Sequence, residues 1–148
     1  MDKPNVANDP LIRVIAAVIR RGDEYLVCQR PTSKRHGGLW EFPGGKCEDG
    51  ESDLDAARRE LGEELGVDVV RAAEPLFSAH DEGSPYVIVF VPAEIAGEPI
   101  AREHTAIRWS TAADLESLAL APSDTRFAEL CIRGQDARDG GPAEESSS

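Results

Sequence analysis

Basic residues are in short supply. The 148-residue chain has 16 Lys and Arg against 28 Asp and Glu, a formal net charge of −12. A nucleic-acid polymer is gripped through its phosphates by a basic surface, so this balance argues against such a partner. Long apolar runs are missing too. None approaches the ~18 residues a bilayer span requires, so no membrane partner is expected. The opening MDKPNVANDP has no apolar stretch of the kind a secretory signal carries. The cytoplasm is the expected compartment. Cysteine is sparse: Cys28, Cys47 and Cys131 are widely separated, with no CxxC pair. They read as reduced thiols, not as a disulfide frame or a zinc site.

Two familiar anion and cation motifs are absent as well. Gly45-Lys46 is followed by Cys47, and no glycine stands five residues before Gly45, so there is no P-loop. Asp53 and Asp55 lack the third ligand and the glycine of a calcium-binding EF-hand loop. Internal repeats are absent.

What is present is concentrated in Gly44–Val67, GGKCEDGESDLDAARRELGEELGV. Residues 44–66 hold eight acids and three bases, so an anion-cleaving site there needs cations to work. Leu54, Ala57, Leu61 and Leu65 recur at three- and four-residue spacing and form the apolar stripe of an amphipathic helix. Glu60, Glu63 and Glu64 fall at i, i+3 and i+4, which sets three carboxylates side by side. Their repulsion weakens an isolated helix; a divalent cation, which takes oxygen ligands at short range, reverses its sign. Arg59 is placed to orient one carboxylate. Pro43-Gly44-Gly45 lets a backbone carbonyl or a ligand come close, and Ser52 or Asp53 caps the helix.

Gly45, five residues, Glu51, seven residues, Arg59-Glu60-Leu61, one residue, Glu63-Glu64, one residue, Gly66-Val67 matches every fixed position of the Nudix box. The chain resembles the Nudix hydrolases. The run QRPTSKRHGGLWEFPGGK is similar to the corresponding segment of their MutT-type branch, which cleaves nucleoside triphosphates. The resemblance implies an α+β fold, an α/β/α sandwich with a mixed central sheet. It also implies water attack on a phosphorus of a diphosphate linkage, with Mg2+ as the cofactor and Mn2+ as a substitute. Metal ligands would come from Glu60, Glu63, Glu64 and a Gly45 or Gly44 carbonyl, with Glu103 adding an acid from a later loop. Glu51, Arg59, Glu60 and Glu63 are the expected catalytic set; one of the helix glutamates, or Glu51, serves as base. Arg30, Phe42 and Asp124 are the expected substrate contacts, Asp124 at the base-reading position.

In chain order, residues 1–10 read as a loose arm, 11–133 as one hydrolase domain and 134–148 as a disordered acidic tail. Leu11–Arg20 is apolar on both faces, as in a central strand. With Glu24–Arg30 it suggests a hairpin around Arg21-Gly22-Asp23. Trp40 and Phe42 alternate around Glu41, which puts both aromatics on one side. Asp68–Ala79, broken at Pro75, should pair with Tyr86–Pro92, and Ala93–Ile100 reads as loop. Ile107–Trp109 is a short strand, Asp114–Leu118 a brief helix capped by Thr111, and Ser123–Ile132 a second helix. A small-molecule nucleotide is the expected partner, and the oligomeric state is left open. Besides triphosphate hydrolysis, cleavage of nucleotide sugars or dinucleoside polyphosphates and a non-catalytic binding module stand as alternatives.

Overall fold

Leu11–Arg20 has apolar residues on both faces because its strand is covered on both sides. In the structure, a computed structural model that describes residues 11–140, β1 (Ile12–Val18) is an inner strand of a mixed sheet. Ala16 and Val18 enter one apolar cluster, and Ala17, with Ile19 just beyond the strand, enters another. Then follow β2 (Arg20–Arg21), β3 (Glu24–Gln29), β4 (Trp40–Glu41) and β5 (Gly44–Lys46). Next come α1 (Asp53–Leu65), β6 (Asp68–Ala72), β7 (Phe77–Ala79), β8 (Tyr86–Ala96) and β9 (Ala106–Thr111). The helices α2 (Ala112–Ser117) and α3 (Pro122–Gly140) close the described chain.

The first sheet runs β5-β1-β8-β6, with β7 also on β8. β1 and β8 are parallel, Ile12 opposite Tyr86; every other pairing in it is antiparallel. The second sheet, β2-β3-β4 with β9 on β3, is antiparallel throughout. Alternation along β3 sends Tyr25 and Val27 toward Phe42, Phe90, Leu115 and Phe127, and Leu26 and Cys28 toward Leu61, Leu65 and Val69. One cluster is therefore covered by α2 and α3 and the other by α1, the α/β/α arrangement expected. Burial drives the Cys28 thiol well above its usual range, as suits an inert core thiol. Trp109 packs at the margin of the second cluster, with the Arg21 guanidinium 4.1 Å above its ring.

Several boundaries differ from the sequence reading. The Arg21-Gly22-Asp23 turn joins β2 to β3, not β1 to β3, because β1 crosses into the other sheet, where β5 and β8 hydrogen-bond to it. β8 continues past Pro92 to Ala96, since β6 pairs with its second half. The final helix does not stop at Ile132. It runs on to Gly140 and so takes in residues 134–140, where Gln, Ala and Arg are good helix formers by sequence. The arm at 1–10 and the remainder of the tail, 141–148, lie outside the described residues. No helix among the described residues is long and apolar enough to cross a membrane.

Candidate active site

Local sequence fixes both ends of α1. Ser52, not Asp53, is its N-cap: the Ser52 hydroxyl accepts the Asp55 N–H at 3.1 Å, and Asp55 accepts the Ser52 N–H at 3.3 Å. Asp53 instead takes a fork of two hydrogen bonds from Arg13, at 2.8 and 2.9 Å. At the other end Gly66 adopts a left-handed φ of 70° and donates its N–H to Gly62 O.

Burial separates the three helix glutamates. Glu63 is exposed, Glu60 is half-buried and Glu64 is 7 % exposed. Glu64 Oε1 accepts the Gly44 N–H at 3.3 Å. Burial, followed by the charges of Glu60 and Glu41, pushes the Glu64 carboxyl up to about 9. Glu60 is raised as well, chiefly by burial and against the pull of Arg59. A side chain on residue 45 would displace Glu60, because a Cβ there would stand 2.4 Å from the Glu60 carboxyl carbon. Glycine thus brings the Glu60 carboxylate against the turn's backbone.

Arg59 organises the loop that precedes the helix. It donates to both oxygens of Glu51, to Lys46 O at 2.9 Å and to Glu60 Oε2 at 3.2 Å. Glu51 also accepts the Glu48 N–H. Arg59 above all, then that N–H, lowers the Glu51 carboxyl to about 2. Both Glu51 oxygens are thus engaged, by a guanidinium and a backbone amide.

Oxygen donors alone suit a hard divalent cation, and Glu64 is a buried acid surrounded by other acids, with Glu60 drawn against Gly45. The residues present fit such an ion. Among the described residues no three acidic, imidazole or thiol side chains already converge on one point. A cation would therefore draw Glu60, Glu63 and Glu64 inward.

Beside α1 opens a cleft of about 620 Å3, a size that suits a small organic ligand. Gly44, Gly45, Glu64 and Glu103 line it, and so do Arg30, Lys34 and Asp124. Arg30 is held there by Nε to Arg35 O at 2.6 Å and Nη1 to Glu41 Oε1 at 3.0 Å. Phe42 is not a ring offered to a ligand, as expected of a substrate contact. It is 3 % exposed, and its ring meets Tyr25, Phe90 and Phe127 edge-on in the core. Phe42 also borders the cleft, directly after β4. Asp124 lies in the first turn of α3. Its Oδ2 accepts the Phe42 N–H at 2.8 Å, and burial pushes its carboxyl up to about 7, opposed chiefly by that bond.

Three titratable lining residues escaped the sequence reading: Lys34, Glu41 and His104. Glu41 accepts from Arg30 on one oxygen and pairs with His104 Nε2 on the other at 3.0 Å. A lone acid between Trp40 and Phe42 was the available signal for Glu41. His104 carried none beyond standing next to Glu103.

A family model described as NUDIX domain matches residues 10–131. The chain belongs to the Nudix family. This Nudix hydrolase is 37 % identical over 132 residues to the CTP pyrophosphohydrolase of Escherichia coli, a match that covers 86 % of this chain and 96 % of that protein. It is 31 % identical over 123 residues to the 8-oxo-dGTP diphosphatase of Haemophilus influenzae, covering 79 % and 88 %. The crystal structure of the MutT Nudix hydrolase from Burkholderia pseudomallei superposes with a TM-score of 0.71 at 30 % identity, over 84 % of this chain and 99 % of that one. These likenesses place the Nudix chain in the MutT-type branch, a divalent-metal-dependent group.

Proposed function

We propose that this Nudix hydrolase cleaves nucleoside triphosphates to the monophosphate and pyrophosphate, acting on oxidised, otherwise modified or pyrimidine nucleotides with Mg2+, for which Mn2+ substitutes. One observation carries the reading: a single cleft is lined by Glu64 of α1, Gly45 and Glu103 together with Arg30, Lys34 and the buried Asp124. The named activities of the Escherichia coli and Haemophilus influenzae relatives point the same way.

Each residue has a distinct task. Lys34 and Arg30 meet the triphosphate, and the anion competes with Glu41 for Arg30. Glu60, Glu63, Glu64, Glu103 and a Gly45 carbonyl would hold the cation, which when bound would supply water activation and charge neutralisation on the departing group. Water forms a new bond to phosphorus as the bridging P–O bond breaks, and one water proton leaves to a carboxylate. Glu63, the exposed member of the trio, is open to accept it. Arg59 orients Glu60 and fastens Glu51 and the Lys46 carbonyl, so the loop keeps its shape through the cycle. Asp124 borders the base end, where a carboxylate accepts from the amino group of cytosine or the N–H edge of guanine.

The test is a screen of the purified protein with Mg2+ against canonical and oxidised nucleoside triphosphates, with product identification. Monophosphate and pyrophosphate are the expected products. Turnover of nucleotide sugars or dinucleoside polyphosphates with no triphosphate cleavage would overturn the proposal.

A further inference from the structure

The loop between β8 and β9 borders the cleft and is fastened on both sides of a single acid. Before Glu103, the Ile100 N–H donates to Leu65 O and the Arg102 N–H to Glu64 O, both at 3.0 Å. The Arg102 guanidinium donates through Nη1 to Gly62 O at 3.2 Å and lies over Gly66, where a Cβ would stand 3.1 Å from its Cζ. α1 has no basic residue in its last turn. Arg102 thus supplies from outside the cation that the carbonyl end of a helix attracts.

After Glu103, the Thr105 N–H donates to Gln29 O at 2.9 Å, and the His104 ring reaches Glu41. A carboxylate only accepts, so the contact places the hydrogen on Nε2. The His104 side chain is 7 % exposed, and its Nδ1 is buried without a hydrogen-bond partner among the described residues. Its polar engagement is therefore with Glu41. Between these two fastenings Glu103 is exposed and lines the cleft. Its charge reaches Glu60 and Glu64, raising both.

We propose that Arg102 and His104 are positioning residues. They pin the loop to the end of α1 on one side and to Glu41 on the other, and so hold the Glu103 carboxylate toward the cation site of the Nudix helix. The inference rests on the reading of that helix as a divalent-cation site and is independent of which nucleotide is cleaved.

Mn2+ binding to the full chain, followed by electron paramagnetic resonance without nucleotide, tests it alongside steady-state kinetics. His104→Leu should weaken Mn2+ binding roughly tenfold, as loss of a partner that orients a metal ligand does, and should lower kcat with little change in KM. His104→Gln, which keeps an N–H donor toward Glu41, should recover most of both. In a Glu103→Gln background, His104→Leu should add little, because its effect runs through Glu103. Undiminished Mn2+ affinity in His104→Leu, or the same loss with and without Glu103, would overturn the proposal. If His104→Leu does not fold, Arg102→Met carries the same test with the same two outcomes. Wild-type protein that binds Mn2+ with this coupling but cleaves no triphosphate would fail the substrate proposal alone.

Discussion

Arg59 holds both carboxylate oxygens of Glu51, Nε to Oε2 at 2.8 Å and Nη2 to Oε1 at 2.9 Å. The pair ties the loop before α1 to the middle of that helix, and it gives Glu51 a scaffolding role. Glu51 sits at about 2 in the fold against an ordinary 4.5. A lowered carboxylate contributes stability that is present above pH 4.5 and is lost as pH falls toward 2. Glu51→Gln should therefore melt earlier than the wild type at pH 6 and show a shallower fall in Tm between pH 4.5 and 2. Arg59→Ala should lose activity to the same extent as the double variant, since either change opens the same clamp. Melting curves across that pH range, with turnover of both variants, check it.

Glu64 has the opposite sign. Its raised carboxyl means that stability present below pH 4.5 is lost as pH rises through about 9, in protein stripped of metal. Glu64→Gln in chelator should thus be more stable than the wild type at pH 8, by a few degrees in Tm, and should lose several orders of magnitude in turnover. Adding Mg2+ should raise the Tm of the wild type and leave the variant almost unmoved. A wild type insensitive to both chelator and Mg2+ would remove the cation from α1.

Adjacent glycines separate folding from chemistry. A Cβ on Gly44 would stand 1.9 Å from the Ile15 carbonyl oxygen, which is backbone and cannot yield. On Gly45 it would meet only the Glu60 carboxylate. Gly44→Ala should give little soluble protein. Gly45→Ala should fold with a near-normal Tm and lose turnover by at least tenfold as Glu60 is displaced. Thermal denaturation and kcat measured on both variants distinguish the two effects.

Asp124 has two roles that its variants can divide. Asp124→Ala leaves the buried Phe42 N–H unpaired, at a cost of about 1–3 kcal/mol, and Tm should fall accordingly. Asp124→Asn keeps an acceptor for that N–H and should hold Tm. Its side chain also offers an amide donor toward the base, so kcat/KM for the preferred nucleotide should drop roughly tenfold or more while a poor substrate changes little. An Asn variant with unaltered base preference would leave Asp124 as a tether only.

Local features were the ones legible in the sequence. The box, the apolar stripe of α1 and a cap at Ser52 or Asp53 all act within a few residues, so spacing and residue type were enough to find them. Contacts between distant parts of the chain were not. Glu41 and His104 are 63 positions apart, and Phe42 and Asp124 are 82 apart; no periodicity marks such pairs. Alternation put the two aromatics of Trp40–Phe42 on one side. Which side was interior depended on α3, whose Phe127 encloses the Phe42 ring. The end of β8 was misjudged for the same reason, because its second half is held by β6 and not by its own composition.

The parallel pairing of β1 with β8 has a consequence for how the molecule comes into being. β1 leaves the ribosome before the box does, yet its parallel partner is about seventy residues further along the chain, with Ile12 opposite Tyr86. A nascent chain that already contains the whole box has no strand to lay along that edge of β1, and the Phe42–Phe127 contact must wait longer still. Assembly of the centre thus waits until both β8 and α3 have been synthesised. Until then the apolar face of α1 is exposed in the cell to chaperones and to other unfinished chains.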